Sequence, residues 1–284
     1  MATPFLFAAE ASAPAKPMLA RLPASPEADQ PAAVAEWTEE RATPRPLRLH
    51  FLRADLRDPR IEPCVIVADD PDGDGPAEAS LTKPADLAKK SPTLLAAVNA
   101  NAFAHLTTAT EAERLRGWYA GKAVNIEGLA AAEGRVRSPS QAGRIPFWFD
   151  DKNTPHQGDP GLGEKIRGGV ADWGELLLSN GTNMVKQGAV LHPRTLAGFD
   201  ATGRWLLLAV ADGRWKGRSE GLSLKESADL MKQHGCAQAV NLDGGGSSIL
   251  LVRPPGKDGL EVVNHPSDGR PRPIPVMLGI RTKN

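Results

Sequence analysis

Short apolar and alternating segments, separated by Gly, Pro and acidic residues, run through the chain from Leu47 onwards. Alternating positions over 47–56 predict one strand, and the apolar runs 64–68 and 94–99 predict two more. The same patterns predict further strands at 117–126, 145–149, 175–178, 196–199, 205–210, 239–242, 249–252 and 276–280. Because 28 Gly and 25 Pro interrupt these patterns, we expect short elements and long loops.

One helix has a clear start and a clear end. Ser223 and Glu226 have the spacing of a capping box, in which each side chain bonds to the other residue's backbone amide. Apolar residues then recur at helical spacing up to Gly235, which has the position of a C-terminal cap. Many strands and few helices predict an α+β fold, a single domain on a mixed, largely antiparallel β-sheet core.

The first 46 residues differ in composition from the rest. They contain 13 Ala and 8 Pro and show neither a helical nor an alternating apolar period, so we expect residues 1–46 to be a disordered leader or linker. The folded domain is predicted to span 47–284. The opening residues lack the basic and apolar regions of a complete signal peptide, but Ala/Pro-rich segments often follow one. We therefore expect an exported protein, periplasmic or extracellular.

Charge and cysteine content exclude several classes of function. The chain of 284 residues has 34 basic and 34 acidic side chains, so its formal net charge is zero, which argues against nucleic acid or an anionic membrane as partner. No apolar run approaches the roughly 20 residues that span a bilayer. Cys64 and Cys236 can form one disulfide at most, and the sequence leaves both their pairing and the oligomeric state open.

A run of three glycines is the most informative segment. It lies within Asn241–Ser248, between two predicted strands, and consecutive glycines cost chain entropy unless the backbone must approach something closely. The amides of Gly244, Gly245 and Gly246 are predicted to form an anion-binding nest, with Asp243 at its rim and Ser247 and Ser248 on its far side. A tight glycine hairpin is the structural alternative. A nucleotide-binding P-loop is excluded because no Lys follows the glycines.

Two arginines flank the hairpin predicted before this run. Arg194 belongs to the segment His192–Thr195, and Arg214 to Asp212–Arg214. We expect both guanidinium groups to point to one end of the sheet, where a pair of forked donors would suit a phosphate or carboxylate. Taken alone, each arginine is more often a surface ion-pair partner than a ligand contact.

Several motifs in order resemble the phosphodiester glycosidase family. They are His-Pro-Arg-Thr at 192–195, Asp-Gly-Arg at 212–214, the segment 219–226, the glycine run at 241–248, and the segment 262–280. Upstream, the segment 98–103 is similar to the family's Asn-Gly-Gly-aromatic-Phe loop, with Ala100 and Asn101 in place of the two glycines. The resemblance implies hydrolysis of a sugar-1-phosphodiester at the glycosidic C–O bond. The expected substrate is similar to an N-acetylglucosamine-1-phosphodiester, and no cofactor is expected.

The positions and chemistry of individual residues indicate their roles in such a reaction. Asp243 is expected to be the nucleophile or general base, and Asp212 the second carboxylate. The order of these roles, and whether the reaction retains or inverts configuration, stay open. The residues expected to bind phosphate or sugar are Arg194, Thr195, Arg214, Asn241, Gly244, Gly245, Gly246, Ser247, Asn99, Asn264, Arg270 and Trp215. Glu226 is assigned to the capping box rather than to catalysis.

Two other functions fit the same residues. A non-catalytic carbohydrate-binding protein of an exopolysaccharide or cell-surface glycan system would keep the pocket without the chemistry, and the altered loop at 99–103 favours this alternative. A metal-dependent phosphodiesterase would cut the P–O bond, but the six His have no ligand-like spacing.

An acidic loop resembles the first half of a calcium site. Asp70, Asp72 and Asp74 alternate as in an EF-hand, but Leu81 occupies the twelfth position, where a bidentate Glu is needed. A solvated acidic turn is the preferred interpretation, with calcium as the alternative.

Overall fold

Strands make up most of the regular structure. The computed structural model describes residues 19–20, 33–174 and 176–283. Within these ranges, the helices are α1 (Pro84–Ala88), α2 (Glu111–Leu115) and α3 (Leu224–Gln233), with one 3-10 turn at Gly245–Ser247. The strands are β1 (Leu19–Ala20), β2 (Val34–Arg41), β3 (Leu47–Asp55), β4 (Ile61–Val67), β5 (Ala79–Ser80), β6 (Leu94–Asn99), β7 (Phe103–His105), β8 (Ala123–Ile126), β9 (Ala130–Ala132), β10 (Arg135–Ser138), β11 (Pro146–Phe149), β12 (Pro155–Gln157), β13 (Gly168–Ala171), β14 (Leu176–Ser179), β15 (Thr182–Asn183), β16 (Arg194–Phe199), β17 (Trp205–Ala211), β18 (Gln238–Asn241), β19 (Leu250–Val252), β20 (Glu261–Val262) and β21 (Val276–Thr282).

The described residues form four sheets. The eight-stranded sheet has the order β1-β2-β3-β17-β16-β18-β14-β15, and a five-stranded sheet has the order β20-β19-β6-β21-β4. A second five-stranded sheet, β10-β9-β13-β11-β12, and a three-stranded sheet, β5-β8-β7, complete the fold. Every strand pair of the described residues is antiparallel. The predicted α+β domain on a largely antiparallel core, with few helices, is confirmed.

Both faces of the eight-stranded sheet are covered. On β3, Leu52 and Ala54 belong to the large core shared with the five-stranded sheet of β6 and β21, while Leu49 and Phe51 pack in the core of α3. Successive side chains of a strand point to opposite faces, so this strand is apolar on both. Fully burying a side chain such as Phe51 stabilises the fold by roughly 1.5–3 kcal/mol.

Helix α3 begins and ends where the sequence predicts. The Ser223 hydroxyl accepts a hydrogen bond from the Glu226 amide, and the Glu226 carboxylate accepts one from the Ser223 amide. Gly235 follows the last turn with φ of 87°, a left-handed conformation that glycine adopts without strain. The helix packs on β14, β15, β16 and β18 and thereby fixes the loop that precedes it.

Two predicted boundaries are wrong. Residues 1–46 were expected to be disordered, but Val34–Arg41 forms β2 and pairs with β3 along its whole length. The strand expected over 117–126 begins only at Ala123, because Gly117 and Gly121 have positive φ and turn the chain. The remainder of the 1–46 prediction lies largely outside the described residues. Among the helices of the described ranges, each is too short or too polar to cross a membrane.

Candidate functional site

The segment 241–248, which contains the glycine run, crosses from one sheet to the other. Its first residue, Asn241, ends β18 of the eight-stranded sheet. The Leu242 amide still donates to the Thr195 carbonyl of β16. The next amide, that of Asp243, donates instead to Ala100, just beyond β6 of the five-stranded sheet. The chain then enters β19 of that same sheet. Asp243 is therefore fixed at the junction of the two sheets.

The three glycines are required by close approach. A Cβ on Gly244 would lie 2.7 Å from the Pro193 carbonyl oxygen, and one on Gly246 would overlap the Arg272 guanidinium. Gly245 has φ of 61°, in the left-handed region. The run forms a 3-10 turn rather than a hairpin. Its tightness brings side chains of other segments against the backbone.

Two of the three glycine amides form hydrogen bonds within the protein instead of facing an anion. The Gly245 amide donates to the Pro193 carbonyl at 3.0 Å. The Gly244 amide bonds to the Asp243 carboxylate. The predicted nest of three amides facing an anion is thus wrong for these two, because the turn uses them itself.

Asp243 carries an unusual carboxyl group. Burial raises its pKa to about 6, and the charge of Glu127 acts in the same direction. The Ser247 hydroxyl, the Arg272 guanidinium and the Gly244 amide oppose the rise without cancelling it. A carboxyl group that titrates near neutral pH can both give and take a proton, which is the property of a general acid or base.

Arg214 lies against the glycine run, as predicted. Its guanidinium is 3.2 Å from where a Cβ on Gly245 would be, and its Nη2 is 3.1 Å from His192 Nδ1. Burial, together with the charges of Arg194 and Arg214, lowers the pKa of His192. A neutral His192 accepts a hydrogen bond from Arg214 and orients it without adding charge.

The second arginine at the run is Arg272, not Arg270. Arg272 is fixed by the Asp268 carboxylate at 2.8 Å, and its guanidinium lies at Gly246. Arg270 is exposed to solvent. Both residues belong to the same Arg-Pro-Arg-Pro segment, and the sequence pattern does not show which of the two faces the glycine run.

Arg194 is a framework residue. It is buried, its Nε donates to the Leu222 carbonyl at 3.0 Å, and its Nη2 donates to the Val190 carbonyl at 3.2 Å. These bonds fix the loop before α3. The expected phosphate contact is corrected accordingly, because the guanidinium is directed at backbone carbonyls.

Asp212 is enclosed rather than presented to a ligand. It is 1% exposed, and one oxygen lies 3.1 Å from His50 Nε2. The other oxygen accepts from the His265 amide at 2.8 Å and faces the Asn264 amide group at 3.4 Å. His50 in turn contacts the Thr38 hydroxyl on β2 at 3.1 Å. The predicted second catalytic carboxylate is therefore a buried brace for the loop that carries Arg272.

The buried side chains of Asn99 and Asn264 hold the backbone on either side of the glycine run. Asn99 donates to the Asp243 carbonyl at 2.7 Å, and its Oδ1 accepts from the Thr195 hydroxyl and the Ile249 amide. Asn264 bonds to the backbone on both sides of Ile249. All three side chains are buried, so the structure gives Asn99, Thr195 and Asn264 supporting positions in place of the expected sugar contacts.

Asn241 differs from these braces. Its side chain is 1% exposed, yet its Oδ1 has no partner among the described residues. The hydroxyl of Ser248 and the Oδ1 of Asn101 are likewise buried without a hydrogen-bond partner among the described residues. A buried polar atom without a partner costs roughly 1–3 kcal/mol. Their concentration around Asp243 favours a ligand or water that supplies the missing bonds.

Glu127 was missed by the sequence reasoning. It follows β8 directly, as Asp212 follows β17, so a strand-end carboxylate was a usable signal. Its carboxylate is paired with Arg144, and its charge reaches Asp243. Its carbonyl accepts from Asn101, in the loop after β6. Glu127 is thus a carboxylate whose charge acts on Asp243.

Two tryptophans flank the glycine run. Trp215 is stacked on His265 with ring centroids 3.9 Å apart, so one of its faces is already covered. Trp173, which the sequence reasoning also missed, is 42% exposed, and its amide donates to the Asn241 carbonyl at 2.7 Å. The Arg144 guanidinium lies 4.3 Å above its ring.

The acidic loop is a self-bonded turn. Asp70 accepts from the amides of Asp72 and Gly73 and pairs with Arg137, while Asp72 accepts from a later amide of the loop. These bonds use carboxylate oxygens that calcium would need. Within the described ranges, no group of three His, Cys, Asp or Glu side chains could hold a metal ion.

The two cysteines lie apart and inert. Cys64 on β4 and Cys236 after α3 are both buried free thiols. Burial raises the pKa of each thiol to about 12, so neither forms a thiolate at physiological pH.

Comparison with known proteins identifies the family. The sequence profile of the phosphodiester glycosidase family matches residues 93–281, well over half the chain. The chain belongs to that family. A 63-residue stretch is 41% identical to N-acetylglucosamine-1-phosphodiester alpha-N-acetylglucosaminidase of Mus musculus. That stretch covers 22% of this chain and 12% of the mouse protein.

Solved structures share the fold. The catalytic domain of the zebrafish N-acetylglucosamine-1-phosphodiester alpha-N-acetylglucosaminidase, described as auto-inhibited by its pro-peptide, has a TM-score of 0.63 at 20% identity, over 92% of this chain and 87% of that one. A hypothetical protein from Synechocystis has a TM-score of 0.63 at 13% identity, over 88% and 62%. A putative exported protein from Burkholderia pseudomallei has 0.52 at 14%, over 83% and 74%. These likenesses show the fold alone.

Proposed function

We propose that this phosphodiester glycosidase family member hydrolyses the glycosidic C–O bond of a sugar-1-phosphodiester. The observation that carries the proposal is the carboxyl group of Asp243, whose pKa is raised to about 6 by burial and by the charge of Glu127, next to glycines that lie against the Arg214 and Arg272 guanidinium groups. The family assignment supports a hydrolase of this kind, and the residues of this chain support the finer statement.

The phosphate is proposed to bind at the two guanidinium groups. Arg214 and Arg272 are held against the glycine run by His192 and Asp268, so little reorganisation is needed when an anion arrives. Forked donors suit phosphate oxygens. As the glycosidic bond breaks, negative charge grows on the departing phosphate, and fixed cations stabilise that charge.

Asp243 is proposed to act on the leaving group. Its raised pKa keeps part of it protonated near neutral pH, and the glycines that follow it lie against the two arginines. It donates its proton to the bridging oxygen as the C1–O bond breaks and the electron pair goes to the phosphate. This role differs from the nucleophile or base expected from the sequence.

Glu127 is proposed to act at the anomeric carbon. Its carboxylate is paired with Arg144 and its charge reaches Asp243, and two carboxyl groups in different environments are the usual pair for glycoside hydrolysis. Glu127 either takes the proton of the attacking water or bonds C1 itself. Proton NMR of the first-formed anomer distinguishes the two, because the water route inverts configuration and the covalent route retains it.

Hydrolysis in ¹⁸O-labelled water tests the proposal. We expect the protein to release free sugar from a methyl 2-acetamido-2-deoxy-α-glucosyl phosphodiester, with label in the sugar and none in methyl phosphate. Glu127→Gln should reduce the rate by about 10²–10⁴-fold. Label in the phosphate would contradict C–O cleavage and support a P–O phosphodiesterase.

The alternative of a non-catalytic carbohydrate-binding protein has lost the feature that favoured it. In the altered loop after β6, the Ala100 carbonyl accepts from Asp243, and the Asn101 side chain fixes the Glu127 and Leu129 carbonyls. The loop thus supports both proposed catalytic carboxyl groups. Glycan binding without sugar release, across phosphodiesters of several sugars, would restore this alternative.

We also propose that the protein acts outside the cytoplasm. The Ala/Pro-rich residues before Ala33 and the structural likeness to a putative exported protein support this location. Fractionation of cells that express the full chain with a C-terminal tag tests it, and recovery in the cytoplasmic fraction alone would contradict it.

A further inference from the structure

Two groups of side chains near the glycine run differ in chemistry. The first consists of the cations Arg214 and Arg272, which lie against Gly245 and Gly246. The second, which we call the tryptophan wall, consists of Glu127, Arg144 and Trp173, joined by an ion pair and a cation–π contact. Charge on this wall is compensated internally, because the one guanidinium is paired with the one carboxylate. The wall therefore offers an aromatic surface and polar atoms rather than an excess of positive charge.

The tryptophan wall is firmly built. The Arg144 guanidinium covers one ring face of Trp173 at 4.3 Å, and the indole is still 42% exposed. Next to it, Ile145 and Asp172 are joined by two hydrogen bonds, amide to carboxylate at 2.8 Å and amide to carbonyl at 3.1 Å. The indole is thus held at its backbone and on one face, while a large part of it meets solvent.

A glycine makes this closeness possible. Gly128 follows Glu127 with φ of 77°, and a Cβ there would lie 2.5 Å from the Ala171 Cβ and 2.9 Å from the Arg144 Cβ. Any larger residue would push the two segments apart. The packing that brings Glu127 and Trp173 to one guanidinium is therefore specified by the sequence.

An unpartnered polar atom lies beside the wall. The Trp173 amide donates to the Asn241 carbonyl, and Asn241 Oδ1 is buried without a partner in the described part of the chain. A sugar presents both groups that this arrangement lacks, an apolar ring face for an aromatic surface and hydroxyl donors for a buried acceptor.

We propose that the tryptophan wall, with Asn241, is the subsite for the sugar ring, so that the substrate lies across Asp243 with its sugar on Trp173 and its phosphate on Arg214 and Arg272. The proposal rests on the proposed function for the identity of the phosphate side. The ring stacks on the open part of the indole, and Asn241 Oδ1 accepts from a ring hydroxyl. Specificity for the sugar then resides in segments outside the glycine run.

Separate binding measurements on the two halves of the substrate test this orientation. Calorimetry with the full chain uses a panel of methyl α-hexosides with their 2-acetamido counterparts, and separately inorganic phosphate. We expect Trp173→Ala to weaken the best sugar at least about tenfold, a loss of about 1.4 kcal/mol, and to leave phosphate binding unchanged. Arg272→Gln should do the reverse.

Two variants control for folding and for aromatic content. Trp173→Phe keeps a ring and should restore most of the sugar affinity, whereas a merely structural role would not discriminate between the two ligands. Trp215→Ala removes the aromatic ring whose face is covered by His265, and sugar affinity should stay the same. Unfolding midpoints confirm that each variant is folded.

Three outcomes would overturn the proposal. They are unchanged sugar affinity in Trp173→Ala, a larger loss in Trp215→Ala, or absence of sugar binding by the parent protein across the panel. Because binding is measured without turnover, a protein that binds sugar through Trp173 but hydrolyses nothing would overturn the proposed function and leave the subsite standing.

Discussion

Asp243 and Asp212 begin from equivalent positions and end in opposite environments. Both follow a strand of the eight-stranded sheet, β18 for Asp243 and β17 for Asp212. Asp212 is 1% exposed and is surrounded by His50, His265 and Asn264. Asp243 is half-buried, and burial raises its pKa to about 6.

The two carboxyl groups differ in how their neighbours act on them. Both oxygens of Asp212 are hydrogen-bonded to fixed groups, and these bonds hold the 264–272 loop. Asp243 is opposed by Glu127 and only partly compensated, so its proton is available for chemistry. Burial alone does not separate the two.

The largest expected effect is on turnover by Asp243→Asn. The variant cannot donate a proton, so kcat should fall by about 10²–10⁴-fold while the fold is kept. Initial rates on the methyl phosphodiester measure this, and circular dichroism checks the fold. Asp212→Asn is the matched control and should lose far less activity. Equal losses in the two variants would remove the distinction between the carboxylates.

The next largest expected effect is on the pH dependence of kcat/KM. If Asp243 must be protonated, kcat/KM should be highest below pH 6 and fall about tenfold per pH unit above it, because the carboxyl group ionises near pH 6. His192→Gln should keep this limb, since the pKa of His192 is lowered and its role is to orient Arg214. Movement of the limb in His192→Gln would assign the titration to the imidazole.

Asp243→Asn and Asp212→Asn should change the free energy of unfolding in opposite directions. The folded state disfavours ionised Asp243, so stability is lost as pH rises from its ordinary pKa of 3.8 through about 6. Asp243→Asn should therefore be more stable than the parent at pH 7.5, with the gain vanishing below about pH 4. Asp212→Asn should be less stable by about 1–3 kcal/mol, because buried donors lose an acceptor.

Urea unfolding at pH 4 and pH 7.5 measures both effects. A destabilised Asp243→Asn protein at pH 7.5 would show that the carboxylate is compensated in the folded state, contrary to its proposed chemistry. An unchanged Asp212→Asn protein would show that the brace is dispensable.

The smallest expected effect is at the far end of the brace. Thr38→Val removes the hydroxyl that contacts His50 at 3.1 Å and should cost about 0.5–1.5 kcal/mol of unfolding free energy, with kcat unchanged. Thr38→Ser keeps the hydroxyl and should match the parent. A loss of kcat without a loss of stability would place β2 in the reaction instead of in support of the loop.

Local signals in the sequence predicted much of the fold. The capping box of Ser223 and Glu226 and the strand Leu94–Asn99 both depend on neighbouring residues, and both are present as expected. β2 was missed because Val34–Arg41 contains three Glu and no strong alternation. It becomes a strand through its pairing with β3, which the local pattern does not reveal.

The site was predicted less completely because it is assembled from distant segments. Asp243 and Arg214 were found in motifs, whereas Glu127 and Trp173 reach the site from segments 116 and 70 residues before Asp243. The choice between Arg270 and Arg272 depended on side-chain direction. The roles of Asp212, Arg194 and Asn99 depended on burial, which strand-end position does not determine.

The crossover at Asn241–Ser248 has a consequence for how the protein matures. Leu242 is bonded to one sheet and Asp243 to the segment beyond the other. Asp243, the proposed proton donor, therefore acquires its position only when the two sheets have docked. We expect turnover to recover during renaturation no earlier than this docking.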